Sequence, residues 1–280
     1  MSERATSDLS RELETAARIA REAAVLVRSY YRKKLVIEAK AGNEPVTEAD
    51  RAANALIVER LAAAFPVDTI LSEEIPDTGA RLGRRRIWMV DPIDGTSDFI
   101  LGDTGFVVMI GLCIDGRPAA GAVAHPLSEK VYAGIVGTGA WVEDAAGART
   151  PLQTSTIERA PGIRLVASKT HRTQRIDRIK RALQIEDEVN VGSVGLKIGL
   201  VTEGKRDLYV YTGGRTKIWD TCGPEAVLRA AGGTMTDVDG NLLIYDRQDL
   251  YNRRGIVASN GPLHPFVIET LAPLVRTTDV

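Results

Sequence analysis

Apolar positions along this chain shift repeatedly between a helical and a strand-like period, and the shifts mark its elements. From residue 8 to 32, Leu9, Leu13, Ala16, Ala20, Ala23 and Val27 recur at helical spacing and predict a long amphipathic helix. The polar stretch AKAGNEPVTEAD leads into a second helix reaching about Ala64, which Pro66 ends. Thr47 and Asp50 open it as Thr-x-x-Asp, a spacing that resembles a capping box. Strand TILSEE (69–74) follows, then a polar, Arg-rich loop. The run Ile87 to Val90 has the length of a buried strand and stops abruptly at Asp91. Pro92 is expected to block further strand, and Gly95 to permit a turn that a side chain would obstruct. Gly95, Thr96 and Ser97 can then open a helix with free backbone N–H groups.

From Phe106 the runs GFVVMIGLCI, AAGAVAHP and KVYAGIVGTGAWVED predict consecutive strands in an antiparallel meander ending near Thr150. Gly137-Thr138-Gly139 is too short and misplaced for a dinucleotide loop and reads as a turn. From Ile163 strands and helices alternate: IRLVAS, helix 172–184, strand 188–191, helix 193–204 and strand 207–211. A helix from about Cys222 to Ala231, strand TMTDV, the Asp239-Gly240 turn, strand GIVAS and a terminal helix complete the chain. Such alternation implies an α/β second half. Thr, Pro, Gln and Ser accumulate over 150–162, so an α+β domain is expected over 1–155 and an α/β domain over 156–280.

Composition narrows the classes without choosing one. At 280 residues the chain can build a substantial core, and 44% hydrophobic with 26% charged residues is ordinary for a globular protein. Lys plus Arg is 36 against 37 for Asp plus Glu, so no overall field favours a nucleic acid polymer or a membrane. The basic clusters Arg84 to Arg86 and Arg172 to Arg181 read as solvated faces. Cys113 and Cys222 have no metal-ligand spacing and read as free thiols of a reducing compartment. The N-terminus lacks an apolar signal core and no apolar run approaches a membrane span, so a cytoplasmic location is expected.

The chemistry concentrates in acids at element ends: Asp50, Glu73 with Glu74, Asp91 with Asp94, and Asp220. Asp91 and Asp94 lie three apart around a turn, so both carboxylates can point into one small space. Glu73 can reach the same sheet edge as Asp91. Two acids beside a helix start make a site for a cation and a phosphate together. Each acid also has a plain structural reading: an Asx turn at Asp91, a capping box at Asp50, and an N-cap at Asp220 before an apolar-periodic helix. Gathered carboxylates repel unless a cation joins them, and an oxygen-only donor set suits a hard cation such as Mg²⁺ better than zinc.

GNEPVTEAD, ILSEE, WMVDPIDGT and IWDTCGPEAVLRAAGG occur in the order found in the inositol monophosphatase superfamily, and the resemblance spans roughly residues 8 to 275. It implies a Mg²⁺-dependent, lithium-sensitive phosphatase with a layered α/β/α/β/α sandwich, able to form a homodimer. Carried over, it gives a first metal to Glu73, Asp91 and the carbonyl of Ile93, and a second to Asp91, Asp94 and Asp220. A weaker third would lie near Glu73, held mainly through water. Thr96, positioned by Asp50, would share with Glu73 the deprotonation of the attacking water. The N–H groups of Gly95 and Thr96 would hold phosphoryl oxygens.

Three segments resemble the 3'(2'),5'-bisphosphate nucleotidase branch: LSEE, VASKTH (166–171) and GSVGLKIGLVTEGKRDLYVYTGGRTKIWDT. They assign Ser168, Lys169, His171, Ser193 and Lys197 to substrate binding, with Asp94 and Asp220 beside them. The expected substrate is 3'-phosphoadenosine 5'-phosphate, with inositol or other sugar phosphates as the alternative. The chain departs from that branch by one extra residue after Ser193 and by Ser97-Asp98 in place of Lys-Glu. His171 also reads as a surface histidine, and Lys169, Lys197 and Lys217 as ordinary solvated lysines. A metal-binding fold retained as an interaction protein would be expected to lack an acid or Thr96, and none is missing.

Overall fold

The computed structural model describes residues 8–39, 45–169 and 174–276. Helix α1 (Ser10–Tyr30) buries Leu13, Ala16, Ala20, Ala23 and Val27 along one stripe, as its period requires. A short antiparallel ribbon, β1 (Ile37–Ala39) with β2 (Pro45–Thr47), leads to α2 (Glu48–Ala64). Both helices lie on one face of a seven-stranded sheet. Its strands run β3 (Thr69–Ser72), β4 (Arg86–Asp94), β5 (Val107–Ile114), β6 (Arg117–His125), β7 (Lys130–Ile135), β8 (Gly139–Glu143) and β9 (Arg149–Pro151), in sequence order. The expected meander is present: from β4 to β9 every neighbour is antiparallel, and 136–138 form the turn before β8. Only β3 pairs parallel to β4. A five-residue helix, α3 (Thr96–Ile100), links β4 to β5.

The rest of the chain builds β10 (Arg164–Ser168), α4 (Gln174–Ala182), β11 (Asp187–Val191), α5 (Val194–Thr202) and β12 (Leu208–Tyr211). It continues with α6 (Ile218–Ala230), β13 (Gly233–Thr236), β14 (Ile256–Asn260) and α7 (His264–Arg276). These strands form a second sheet in the order β11-β10-β12-β14-β13, parallel around β10 and antiparallel around β14. Helices α5 and α6 lie between the two sheets, while α4 and α7 pack together on the far side of the second. The result is the layered α/β/α/β/α sandwich. Both cysteines are free and buried, and no described helix is long and apolar enough to cross a membrane.

Two elements depart from the sequence expectation, and both carry site residues. Strand β4 does not stop at Asp91 but continues to Asp94. Asp91 faces Met109 and Asp94 faces Val107, so Pro92 and Ile93 stand opposite Val108 alone. This bulge seats the proline where no ladder donor is needed. Helix α6 begins at Ile218, about four residues before the expected start, so Asp220 lies inside its first turn rather than ahead of it. A third difference is smaller: β3 ends at Ser72, which leaves Glu73 and Glu74 in a turn.

Helix α6 reaches the first sheet because glycines meet there. Gly111 and Gly121 pair across β5 and β6, and a Cβ on either would strike the backbone at Gly223. Glu225, on the same helix, is fully buried and hydrogen-bonded by the Tyr245 hydroxyl. Burial pushes its carboxyl up from 4.5 to about 7, against the pull of Tyr245 and Arg229. The folded state therefore holds this proton where the unfolded chain releases it. The stability it contributes is full below about pH 4.5 and is lost as pH rises through 7, on the order of 3 kcal/mol in all. Urea unfolding should show that decline for the wild type, and Glu225→Gln should flatten it. An unchanged slope in the variant would assign the decline to other groups.

Candidate active site

The site forms where β3 and β4 end side by side. The parallel register sets Ser72 opposite Val90, and the Glu73 N–H donates to the Val90 carbonyl at 3.1 Å. Glu73 therefore emerges next to Asp91. Asp91 is 2% exposed, and its Oδ1 accepts the Ile93 N–H at 3.0 Å, which fixes the carboxylate across the bulge. Gly95 follows at φ 97°, and a side chain there would strike the Gly105 carbonyl.

Asp50 satisfies both of its sequence readings at once. Its Oδ2 accepts the Thr47 N–H at 2.8 Å and the Thr47 hydroxyl at 2.5 Å, closing the capping box of α2. Its Oδ1 lies 3.1 Å from the Thr96 hydroxyl. That hydroxyl is also 3.0 Å from the Ile93 carbonyl, so its single proton serves one acceptor at a time.

The second half of the chain reaches the same place through two helix starts. Asp94 Oδ2 accepts the Ser193 hydroxyl at 2.6 Å and the Gly195 N–H at 2.9 Å. Asp220 sits at the third position of α6, where Oδ2 accepts the Lys217 N–H at 2.8 Å. Burial, then the charges of Asp94 and Glu73, hold the Asp220 carboxyl well above the usual carboxylate range. Acids from three distant stretches thus share one space and repel one another. Lys217, taken from sequence as solvated, stands 4.0 Å from Glu73 with little exposure.

The remaining expected residues divide. Lys169, at the end of β10, ion-pairs with Asp103, and its N–H donates to Val191 at 3.2 Å. It and Ser168 thereby lie beside the strand that leads to Ser193. Lys197 is 3% exposed and donates to the carbonyls of Val191 and Gly192 at 3.3 and 3.2 Å. His171 lies outside the described residues. Asp98 was not anticipated. It is buried beside Gly105 and Gly192, and its Oδ2 has no hydrogen-bond partner among the described residues. Burial and the nearby Asp103 raise its pKa, while Lys169 and Lys197 oppose them. The only sequence trace of this pocket is the pair of glycines, too far apart to be read together.

The donors suit a hard divalent cation: carboxylate and carbonyl oxygens, with mutual repulsion at Asp220. Among the described residues no group of three or more His, Cys, Asp or Glu side chains is drawn close enough together to hold a metal ion as it stands. Asp50, Asp91, Asp94 and Asp220 each have at least one oxygen held by a protein donor. Carboxylates anchored in this way retain lone pairs on the same oxygens, since each accepts more than one bond.

The sequence profile of the inositol monophosphatase family matches residues 8–276. A 3'(2'),5'-bisphosphate nucleotidase, CysQ, of Escherichia coli strain K12 is 34% identical over 250 residues, covering 88% of this chain and 99% of that one. The crystal structure of CysQ from Bacteroides thetaiotaomicron superposes with a TM-score of 0.76 at 27% identity, over 91% of this chain and 98% of that one. An IMPase from Thermotoga maritima superposes at 0.79 with 23% identity, over 95% and 98%, a likeness of fold. Matched almost end to end, with its acids converging from Asp50 to Asp220, the chain belongs to the inositol monophosphatase family of metal-dependent phosphomonoesterases.

Proposed function

We propose that this protein hydrolyses the 3'-phosphate of 3'-phosphoadenosine 5'-phosphate, giving AMP and inorganic phosphate, with Mg²⁺ as cofactor. The observation that carries the chemistry is the Thr96 hydroxyl, held by Asp50 one residue past Gly95 in the turn that follows Asp91 and Asp94, with Glu73 and Asp94 close enough to act on the buried Asp220 carboxyl. The nucleotide preference is supported by similarity to nucleotidases over nearly the whole chain.

In this reading Glu73, Asp91, the Ile93 carbonyl, Asp94 and Asp220 would hold two or three Mg²⁺ ions. A divalent ion there supplies polarisation of the phosphoryl oxygens and lowers the pKa of a water. The chain's own residues do the rest. With Thr96's proton directed to Asp50, the hydroxyl oxygen offers a lone pair to an incoming water, and Glu73 takes up the proton that the water gives. The water oxygen bonds to phosphorus as the ester P–O bond breaks, and the departing 3'-oxygen takes a proton from a solvent water to become a hydroxyl. Gly95 and Thr96 N–H groups orient the phosphoryl oxygens. Substrate identity would come from the second unit, 156–280, through Ser168 and Lys169 near the strand that leads to Ser193 and through His171, with the first unit, 1–155, carrying most of the metal donors.

The test is a substrate panel with Mg²⁺: adenosine 3',5'-bisphosphate, inositol 1-phosphate and fructose 1,6-bisphosphate. A kcat/KM for the nucleotide at least about tenfold above the others is expected. Preference for inositol 1-phosphate would move the protein to the alternative reading.

A further inference from the structure

Lys197 was expected to meet substrate, yet it is one of the most enclosed cations in the described residues. It is 3% exposed, and its ammonium donates to the two carbonyls that precede Ser193. Burying an ammonium is costly unless bonded partners and opposite charge compensate for it. Asp94 and Asp98 supply the charge, and the Val191 and Gly192 carbonyls supply acceptors.

What this arrangement secures is Ser193. That residue has φ 52° with ψ 138°, a conformation unfavourable for a side-chain-bearing residue. Its hydroxyl donates to Asp94 and accepts the Leu196 N–H at 3.2 Å, capping α5. The first turn of α5 also adds the Gly195 N–H to the same Asp94 oxygen. The lysine, four residues after the cap, reaches back over the corner and ties its carbonyls to the helix.

We propose that Lys197 is a positioning residue, whose ammonium holds the Gly192–Ser193 corner so that Ser193 and Gly195 orient Asp94, and that it makes no contact with substrate. This rests on the reading of Asp94 as a cation ligand in a phosphatase site. Partners that orient a ligand without touching the ion are typically worth 10–100-fold in metal affinity or activity.

Lys197→Met, Lys197→Gln, Ser193→Ala and the Lys197→Met, Ser193→Ala double variant separate the possibilities. Calorimetric titration with Mn²⁺ reads cation binding without catalysis, and urea unfolding identifies any variant that has lost its fold. Lys197→Met and Ser193→Ala should each weaken Mn²⁺ binding and lower kcat by about 10–100-fold. The double variant should fall within about twofold of the worse single, because both act through one corner. KM should stay within about twofold for both adenosine 3',5'-bisphosphate and glycerol 2-phosphate, and Lys197→Gln, which keeps N–H donors, should recover part of the loss. A KM increase confined to the bisphosphate would make Lys197 a substrate ligand and overturn the proposal, as would additive losses. No recovery with Gln would also overturn it, assigning the effect to charge alone. A wild type that binds Mn²⁺ but hydrolyses no ester would remove the phosphatase reading and leave the binding data to decide Lys197. No Mn²⁺ binding by the wild type would overturn both.

Discussion

Asp91→Asn should leave the fold standing and lower turnover by at least about a thousandfold. The amide keeps an oxygen where Asp91 Oδ1 accepts the Ile93 N–H, so the bulge of β4 retains its internal bond. The change removes one negative charge and one acceptor oxygen at the centre of the acidic space, between Glu73 and Asp94. A thousandfold corresponds to about 4 kcal/mol of transition-state stabilisation, within reach of a single lost electrostatic contact in a water-poor site. Steady-state kinetics over a range of Mg²⁺ concentrations would measure it, with urea unfolding alongside. Activity within a fewfold of wild type would remove Asp91 from the proposed pair of cation sites.

Thr96→Ala should lower kcat by about 10²–10⁴-fold, the range for losing a positioned proton-transfer group. Metal affinity should stay within about twofold of wild type. The asymmetry follows from geometry: the hydroxyl is held between the Asp50 carboxylate and the Ile93 carbonyl, at 3.1 and 3.0 Å. Without it, whichever acceptor held its single proton loses that donor, but Asp50 stays anchored by the backbone and hydroxyl of Thr47. Calorimetry and kinetics on the same preparation separate the two quantities. A parallel fall in metal affinity would assign Thr96 to the cation instead of the water.

Comparing what was expected with what was found separates local from long-range information. The helices, the antiparallel meander and the alternating second half were legible because each rests on a period or a turn chemistry contained within a few residues. Where a tertiary contact competed with a local rule, the local rule lost. Pro92 marks the end of a strand when read alone, but pairing with β5 absorbs it in a bulge and carries β4 on to Asp94. The helix was expected from about Cys222 because Asp220 reads as an N-cap ahead of an apolar-periodic run. Packing of α6 between two sheets instead buries Ile218 and Trp219 and draws Asp220 into the first turn.

The residues of the site show the same division. By itself the sequence picked out the carboxylates of interest, offered Thr47 and Asp50 as a helix cap, and pointed to an oxygen donor set. Those follow from residue type and spacing. Only the tertiary structure decided that Asp50 reaches Thr96 while still capping, that Lys197 turns inward to the Ser193 corner, and that Asp98 is buried between two distant glycines. Asp50 and Thr96 are 46 residues apart along the chain, Lys197 doubles back on a carbonyl 5 residues before it, and the glycines at Asp98 come from the two halves, all drawn together when two sheets close on a shared helix layer. Nothing in the local pattern records such distances, because they are set by how α5 and α6 fit between the sheets, where Gly111, Gly121 and Gly223 leave room for backbones to touch.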